Sequence, residues 1–415
     1  MTFFHKYKNF ISGLLINGME SFDFVLYGYY APLMAPFFFP DQDAKSTQLK
    51  ALLIFAAMFV MKPLGGLIFG YVGDKYGRKK SLILSVLVIS IPTFLIGILP
   101  GYSILGIWAP ITLVFFLSLQ GMGAAAAYSG AAVFLNEHAQ PKTKALLSGL
   151  LFSSAFLGAA AASLLGIFFV SYYPDWGWRA VFIFGGLMGL YILKIRNYLE
   201  ETPQFIAAVK QKKNPALIPL SQIIKNRKRN MLCSVGIAAG ANLPFYVILI
   251  YINSILSTDL NVPSTTLLTY NVATLLLWAL LLPVFGYIGD KKGQKNIMII
   301  ASLLLVLIPI PLSSWFLGEK TLFSLMSSRL LLSLVSMGIV APCSAFLARL
   351  FPTEERQTGV GFCYLLGAAI FGGTAPSVCL YFSDALGTDL FPSIYLSICG
   401  VITLVSLYFA KPVEK

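Results

Sequence analysis

Apolar residues occupy the chain in long blocks separated by short polar segments, beginning with a block from about Phe10 to Phe39 and recurring to the C-terminus. A helix needs about 20 apolar residues to cross a bilayer. At least eleven windows reach that length, and Pro and Gly interrupt a twelfth. The pattern predicts helices over 9–38, 50–73, 81–100, 105–135, 144–172, 178–197, 230–257, 265–289, 296–317, 321–350, 358–384 and 391–411. The expected fold class is an all-α polytopic membrane protein. One polar stretch, 198–229, is long enough to divide it, giving an N-terminal six-helix bundle (1–197), a linker (198–229) and a C-terminal six-helix bundle (230–415).

Composition agrees with this pattern. Of 415 residues 57% are hydrophobic and 11% charged, where a soluble chain carries roughly 25% charged residues. The net charge of +13 is a topology signal. With the N-terminus inside, the cytoplasmic segments hold 24 of the 30 Lys and Arg, and the opposite side holds Lys45, Lys50, Arg179 and Lys320, as the positive-inside rule requires. Both termini and the linker are therefore expected in the cytoplasm. The basic segments are read as contacts for membrane lipid headgroups, and nucleic acid is not expected as a partner.

Two cations, Lys62 and Arg329, and two acids, Glu20 and Asp23, remain within the spans. Each costs about 2.5–3.5 kcal/mol at a helix centre, so all four must face a polar interior or one another. In "NGMESFDFVLYGYY", residues 17–30, the 100° helical step puts Asn17, Glu20, Asp23 and Tyr27 in one sector. Two readings stay open for the acids. They are fixed partners of Lys62 or Arg329, or one of them carries a coupling proton, with burial opposing its charge and a nearby cation favouring it. Lys62 precedes Pro63, whose bend could aim the ammonium at a substrate carboxylate. Arg329 suits bidentate carboxylate contact, or reaches outward by snorkelling. Gln120, Tyr128, Asn242, Tyr246, Tyr270, Asn271 and Tyr364 are further candidates for lining a substrate site, each also explicable as packing.

The five cysteines fall in apolar segments without a CxxC pair, and the two histidines, His5 and His138, fall in polar ones. They point to no disulfide, metal or cofactor site. No nucleophile–base spacing or nucleotide loop is present, so an enzyme is not expected. The first apolar run is too long for a signal peptide and contains acids, so its helix is expected to stay in the membrane.

"GYVGDKYGRKK" at 70–80 is answered by "GYIGDKKGQKN" at 286–296, with Gly70, Gly73, Asp74 and Gly77 in register with Gly286, Gly289, Asp290 and Gly293. Recurrence at matching places in the two halves indicates an internal duplication. The first copy resembles the loop motif of the major facilitator superfamily, G-x-x-x-D-[RK]-x-G-R-[RK]-[RK]. The resemblance implies a cytoplasmic gate built from Gly70, Asp74, Gly77, Arg78, Asp290 and Gly293, in which Asp74 sits at the N-terminus of a neighbouring helix and Arg78 locks it.

"MESFDFVLYG", "KPLGGLIFG", "LPGYSILGIWAP", "LQGMG", "WGWRAVFIFGG", "LEETPQF" and "GFCYLLGAAIFGGTAPSV" are similar to the metabolite:proton symporter branch, which contains proline/betaine, shikimate, α-ketoglutarate and citrate transporters. Against that pattern, Leu117 and Ala127 stand where a charged pair is usual, Lys62 where arginine is, and Leu365 where asparagine is. The resemblance implies a multi-pass bacterial inner-membrane symporter that moves a small organic solute, a carboxylate or zwitterion, with protons by alternating access. Glu20 and Asp23 would handle the proton, Tyr27, Lys62 and Arg329 with the polar residues above would bind solute, and a monomer is expected. The alternatives are an exporter, an importer of a larger polycarboxylate such as a siderophore, and a non-transporting membrane sensor.

Overall fold

A computed structural model describes residues 3–39, 44–173, 175–192, 200–210, 220–251, 264–319 and 321–413. The chain forms two compact units, Met1–His138 with Ser154–Leu217, and Ala139–Ser153 with Ile218–Lys415. Among the described residues the regular structure is entirely helical.

The first unit contains α1 (Phe3–Phe38), α2 (Ala44–Tyr76), α3 (Arg78–Ile98), the short α4 (Tyr102–Leu105), α5 (Trp108–His138), the greater part of α6 (Lys144–Tyr172), α7 (Gly177–Ile192) and the short α8 (Pro203–Lys210). α2 and α3 pack on α5, and α3 also packs on α7. Small residues make these approaches close. A Cβ on Gly121 would stand 2.5 Å from the Met58 carbonyl oxygen, and one on Gly65 would collide with the Met122 backbone, the close-packing role that glycine serves between membrane helices. Tyr27, Met34, Met58, Leu117, Trp178 and Phe182 belong to the apolar core, so Leu117 is packing where a charge is usual in the branch.

The second unit contains the first residues of α6, then α9 (Leu220–Tyr246), α10 (Ser264–Lys292), α11 (Gln294–Leu307), α12 (Pro309–Glu319), α13 (Leu322–Ala348), α14 (Arg356–Gly367), α15 (Ala375–Leu386) and α16 (Phe391–Phe409). Local chemistry sets several ends. Thr321 caps α13 by accepting from the Ser324 N–H at 3.1 Å, α15 stops at Gly387 in the left-handed region, and Pro309 opens α12. Three expected spans are interrupted. The seventh continues into a π-helical turn at Val247–Tyr251, the ninth divides at Ile308, and the eleventh carries a π-helical turn at Ala368–Gly373.

Each of the twelve spans read from the hydropathy pattern coincides with helix over its described residues, with 193–197 of the sixth and 252–257 of the seventh lying outside them. Among the described residues, eight helices are long and apolar enough to cross a membrane, and α7 is a shorter apolar helix. The outward faces are apolar: Val60, Leu64 and Ile68 on α2, and Val401, Val405 and Tyr408 on α16, are all exposed. Buried charge with exposed aliphatic stripes is the arrangement a lipid environment imposes.

Candidate functional site

In the first unit the stripe on α1 is buried. Asp23 is 1% exposed, Glu20 8% and Asn17 1%. Asn17 Nδ2 donates to Ser154 Oγ at 3.1 Å, and Ser21 Oγ donates to Glu20 Oε2 at 3.2 Å. Tyr27 is fully buried in the core, and Tyr30 donates to the Ala162 carbonyl at 3.2 Å. Among the described residues, neither carboxyl oxygen of Asp23 has a hydrogen-bond partner. α7 leaves room for that carboxyl because it presents Gly185, where a Cβ would stand 2.5 Å from Asp23 Oδ1. Gln120 and Tyr128 are both buried on α5, and Gln120 donates from Nε2 to Thr93 Oγ1 of α3 at 2.5 Å.

Lys62 does not pair with either acid at ion-pair distance among the described residues. Its ammonium lies 3.4 Å from the centre of the Phe24 ring and 4.9 Å from that of Phe59, with Glu20 in electrostatic reach. A buried cation on aromatic faces gains about 2 kcal/mol. Among the described residues, neither Glu20 nor Asp23 makes an ion pair.

In the second unit the candidates fall into two pairs. Arg329 of α13 is buried and donates from Nη2 to Asn271 Oδ1 of α10 at 2.7 Å. The Tyr364 hydroxyl of α14 donates to Asn242 Oδ1 of α9 at 3.5 Å. Tyr246 ends the α-helical part of α9, and Gly372 of the second π-helical turn packs under its ring. Tyr270, half-buried, lies one residue before Asn271. π-Helical turns are frequent at functional sites, and here one directly follows Tyr246.

The two copies of the duplicated loop share a backbone and differ in partners. Gly70 is buried in α2, and Gly77 and Gly293, at φ 107° and 93°, turn the chain into α3 and α11, a conformation that glycine adopts without strain. In the first copy Arg78 is fully buried. It donates from Nη1 to Asp74 at 2.6 Å and to the Gly73 carbonyl at 2.7 Å, and from Nη2 to Glu137 of α5 at 3.3 Å. Glu201 takes the N-terminus of α3, accepting from the Arg78 and Lys79 N–H groups at 3.0 and 3.3 Å. Thr202 donates to Glu137 at 2.5 Å and accepts from the Phe205 N–H.

In the second copy Gln294 stands where the first has Arg78. Without that guanidinium, Asp290 accepts from the Ala145 and Leu146 N–H groups at 2.8 Å each, capping the start of α6 within the second unit. Asp290 is thus an acid at a helix N-terminus, the kind of place expected for its counterpart Asp74, while Asp74 accepts from Arg78.

A family model described as Major Facilitator Superfamily matches residues 15–313, with a second match at 232–415. The chain belongs to the Major Facilitator Superfamily. Its relatives in sequence include the glycine betaine/proline/ectoine/pipecolic acid transporter OusA of Dickeya dadantii, 29% identical over 97% of this chain and 83% of that protein. The inner membrane metabolite transport protein YhjE of Escherichia coli is 30% identical over 96% and 93%, and the citrate-proton symporter of Klebsiella pneumoniae is 28% identical over 94% and 89%. The proton:xylose symporter XylE bound to 6-bromo-6-deoxy-D-glucose shares the fold, with a TM-score of 0.80 at 14% identity over 98% of this chain and 96% of that one. This superfamily member is an integral membrane transporter of a small solute and not an enzyme.

Sequence reasoning passed over three polar residues in this superfamily chain: Glu137, Glu201 and Thr93. "ETPQF" did carry a signal for the second, since Thr202 followed by Pro203 is the pattern of a helix N-cap with proline at the first position. The Asp290 cap gives a prediction. Asp290→Ala removes an N-cap contact worth about 0.5–2 kcal/mol, so the Ala145 and Leu146 amides should exchange hydrogen faster while the rest of the unit is unchanged. Unaltered exchange there would show that the cap does not hold α6.

Proposed function

We propose that this protein is a proton-coupled symporter of a small organic solute, a carboxylate or zwitterion, working by alternating access in the bacterial inner membrane with both termini in the cytoplasm. The observation that carries the reading is Asp23, a carboxyl fully buried in α1 with neither oxygen hydrogen-bonded among the described residues. A permanently structural carboxylate in that position would need donors or a cation, and Lys62 instead rests on aromatic rings. Glu20, one helical turn away on α1, is the second acid in the proton path.

Lys62 is the first unit's candidate for an anionic group of the solute. Arg329 with Asn271, and Tyr364 with Asn242, are the second unit's polar pairs for the remainder. Tyr27, Gln120, Tyr128, Tyr246 and Tyr270 shape those surroundings. Transport of betaine, proline and ectoine by one relative and of citrate by another supports a zwitterion or carboxylate. The duplicated loop, with Asp74 locked by Arg78 and Asp290 capping α6, is proposed as the cytoplasmic gate.

The test is proton influx into proteoliposomes carrying a pH-sensitive dye, challenged in turn with pools of organic acids, amino acids and betaines. Influx triggered by one pool is expected. Absence of proton movement with every pool, in folded protein, would reject symport of these classes, and solute-driven proton efflux from inside-out vesicles would indicate export.

A further inference from the structure

We propose that Arg179 and the cavity beside it bind the phosphate of an anionic phospholipid, at the end of the first unit opposite the duplicated loop. The site is independent of the solute and of the coupling acids. α3 begins in that loop at Arg78 and ends at Ile98, and α7 begins at Gly177, so Arg179 stands in the first turn of α7 against the far end of α3. There its Nη1 donates to the Gly97 carbonyl at 3.2 Å and to the Leu99 carbonyl at 2.7 Å. These are acceptors at a helix C-terminus, where basic side chains commonly serve. The guanidinium also lies 4.4 Å from the centre of the Trp178 ring. Trp178 is itself fully buried and wedged against Phe37, Phe38 and Phe182, so the cation rests on a fixed seat.

With Nη1 committed, Nε and Nη2 remain, the pair whose parallel N–H bonds hold a phosphate or carboxylate in bidentate fashion. Among the described residues no carboxylate pairs with Arg179, and Asp175, the acid nearest in sequence, is exposed. Arg179 lines a cavity of about 490 Å³ together with Phe37 of α1, Ile98 of α3 and Tyr102, Ser103 and Ile104 of α4. Tyr102 and Ser103 are exposed and carry the hydroxyls of its wall, donors suited to the remaining phosphate oxygens.

The rest of the wall is apolar and open. Ile98 is 51% exposed and Ile104 76%, and α4 has no buried residue. Ile98 also ends a line of exposed side chains on α3, Leu84, Ile91 and Ile98, which the helical period places on one face. Beyond α4 the chain continues with exposed Ile107 and Trp108, the kind of residues that sit at headgroup level. A fixed cation at the end of an aliphatic stripe is complementary to a molecule with a phosphate at one end and hydrocarbon at the other, and basic pockets between membrane helices take such headgroups. A soluble anion would use the cation and leave the stripe uncovered, which is why the occupant is a lipid.

The experiment reconstitutes the full chain in phosphatidylcholine vesicles carrying a small fraction of photoactivatable phosphatidylglycerol, or the same fraction of photoactivatable phosphatidylcholine, and maps the adducts by peptide mass spectrometry. Residues 98–108 should be labelled about tenfold more by the glycerol lipid. Arg179→Gln should remove that preference. Because this variant also gives up the contacts to the end of α3, Ile104→Asp supplies the second arm. It sits at an exposed position outside those hydrogen bonds, repels the phosphate, and should remove the preference with the Arg179 contacts intact. Equal labelling by the two lipids in the wild type, or a preference that survives in Arg179→Gln, overturns the proposal. A preference lost in Arg179→Gln but kept in Ile104→Asp traces to the end of α3 and overturns it too. Displacement of the lipid by millimolar inorganic phosphate would mark a site for free anions and reject the lipid.

Discussion

Asp23→Asn is expected to abolish solute-driven proton influx, reducing it to the level of empty liposomes, while the protein keeps its fold and melting temperature. Asparagine has nearly the volume of aspartate, so the packing against Gly185 survives, but an amide cannot release a proton at any working pH. Glu20→Gln should weaken influx without eliminating it, because Glu20 is the less buried of the two acids and already holds a hydrogen bond from Ser21. The measurement is the dye-reported proton flux in matched proteoliposomes. If Asp23→Asn moves protons as the wild type does, the coupling acid lies elsewhere.

The second large effect concerns Arg78. Its guanidinium is fully buried and reaches two carboxylates and a carbonyl. Removing one member of a buried ion pair leaves uncompensated charge and costs about 3–5 kcal/mol, so Arg78→Gln should lower the melting temperature in detergent substantially. Arg78→Lys should not rescue it, since a single ammonium cannot reproduce a fork that spans Asp74 and Glu137. Pairing Arg78→Gln with Glu137→Gln should recover part of the loss, because one of the stranded acids is then neutral. Melting close to wild type in Arg78→Gln would show that the network contributes little to stability.

The fold was legible because the requirement to cross a bilayer writes itself into the length of apolar runs, and the duplicated loop suggested two halves. The spans broken at 247–251, 308 and 368–373 were less so, since one inserted residue per turn leaves mean hydropathy unchanged. Among the candidate residues, the stripe on α1 followed from the helical period, and the exchange of Arg78 for Gln294 between the two loops could be read directly from the sequence. Glu137 and Glu201 were not legible as partners of the loop, because they stand 59 and 123 residues from Arg78 in the chain. The aromatic seat of Lys62 was missed because Phe24 and Phe59 are ordinary residues in so aromatic a chain, and an ion pair was the simpler expectation. Thr93 was missed because a threonine in a helix commonly bonds its own backbone.

The seat of Lys62 also restricts how α2 can move. Lys62 lies about 200° around the helix from Val60 and about as far from Leu64 in the other sense, so the buried cation and the exposed aliphatic stripe occupy opposite sides of one cylinder. Rolling α2 about its long axis by a third of a turn would pull the ammonium off Phe24 and carry it toward lipid, at about 2.5–3.5 kcal/mol for the charge alone. Tilting or sliding costs nothing of that kind. Lys62 therefore acts as a key in a slot, leaving α2 able to tilt while forbidding it to spin.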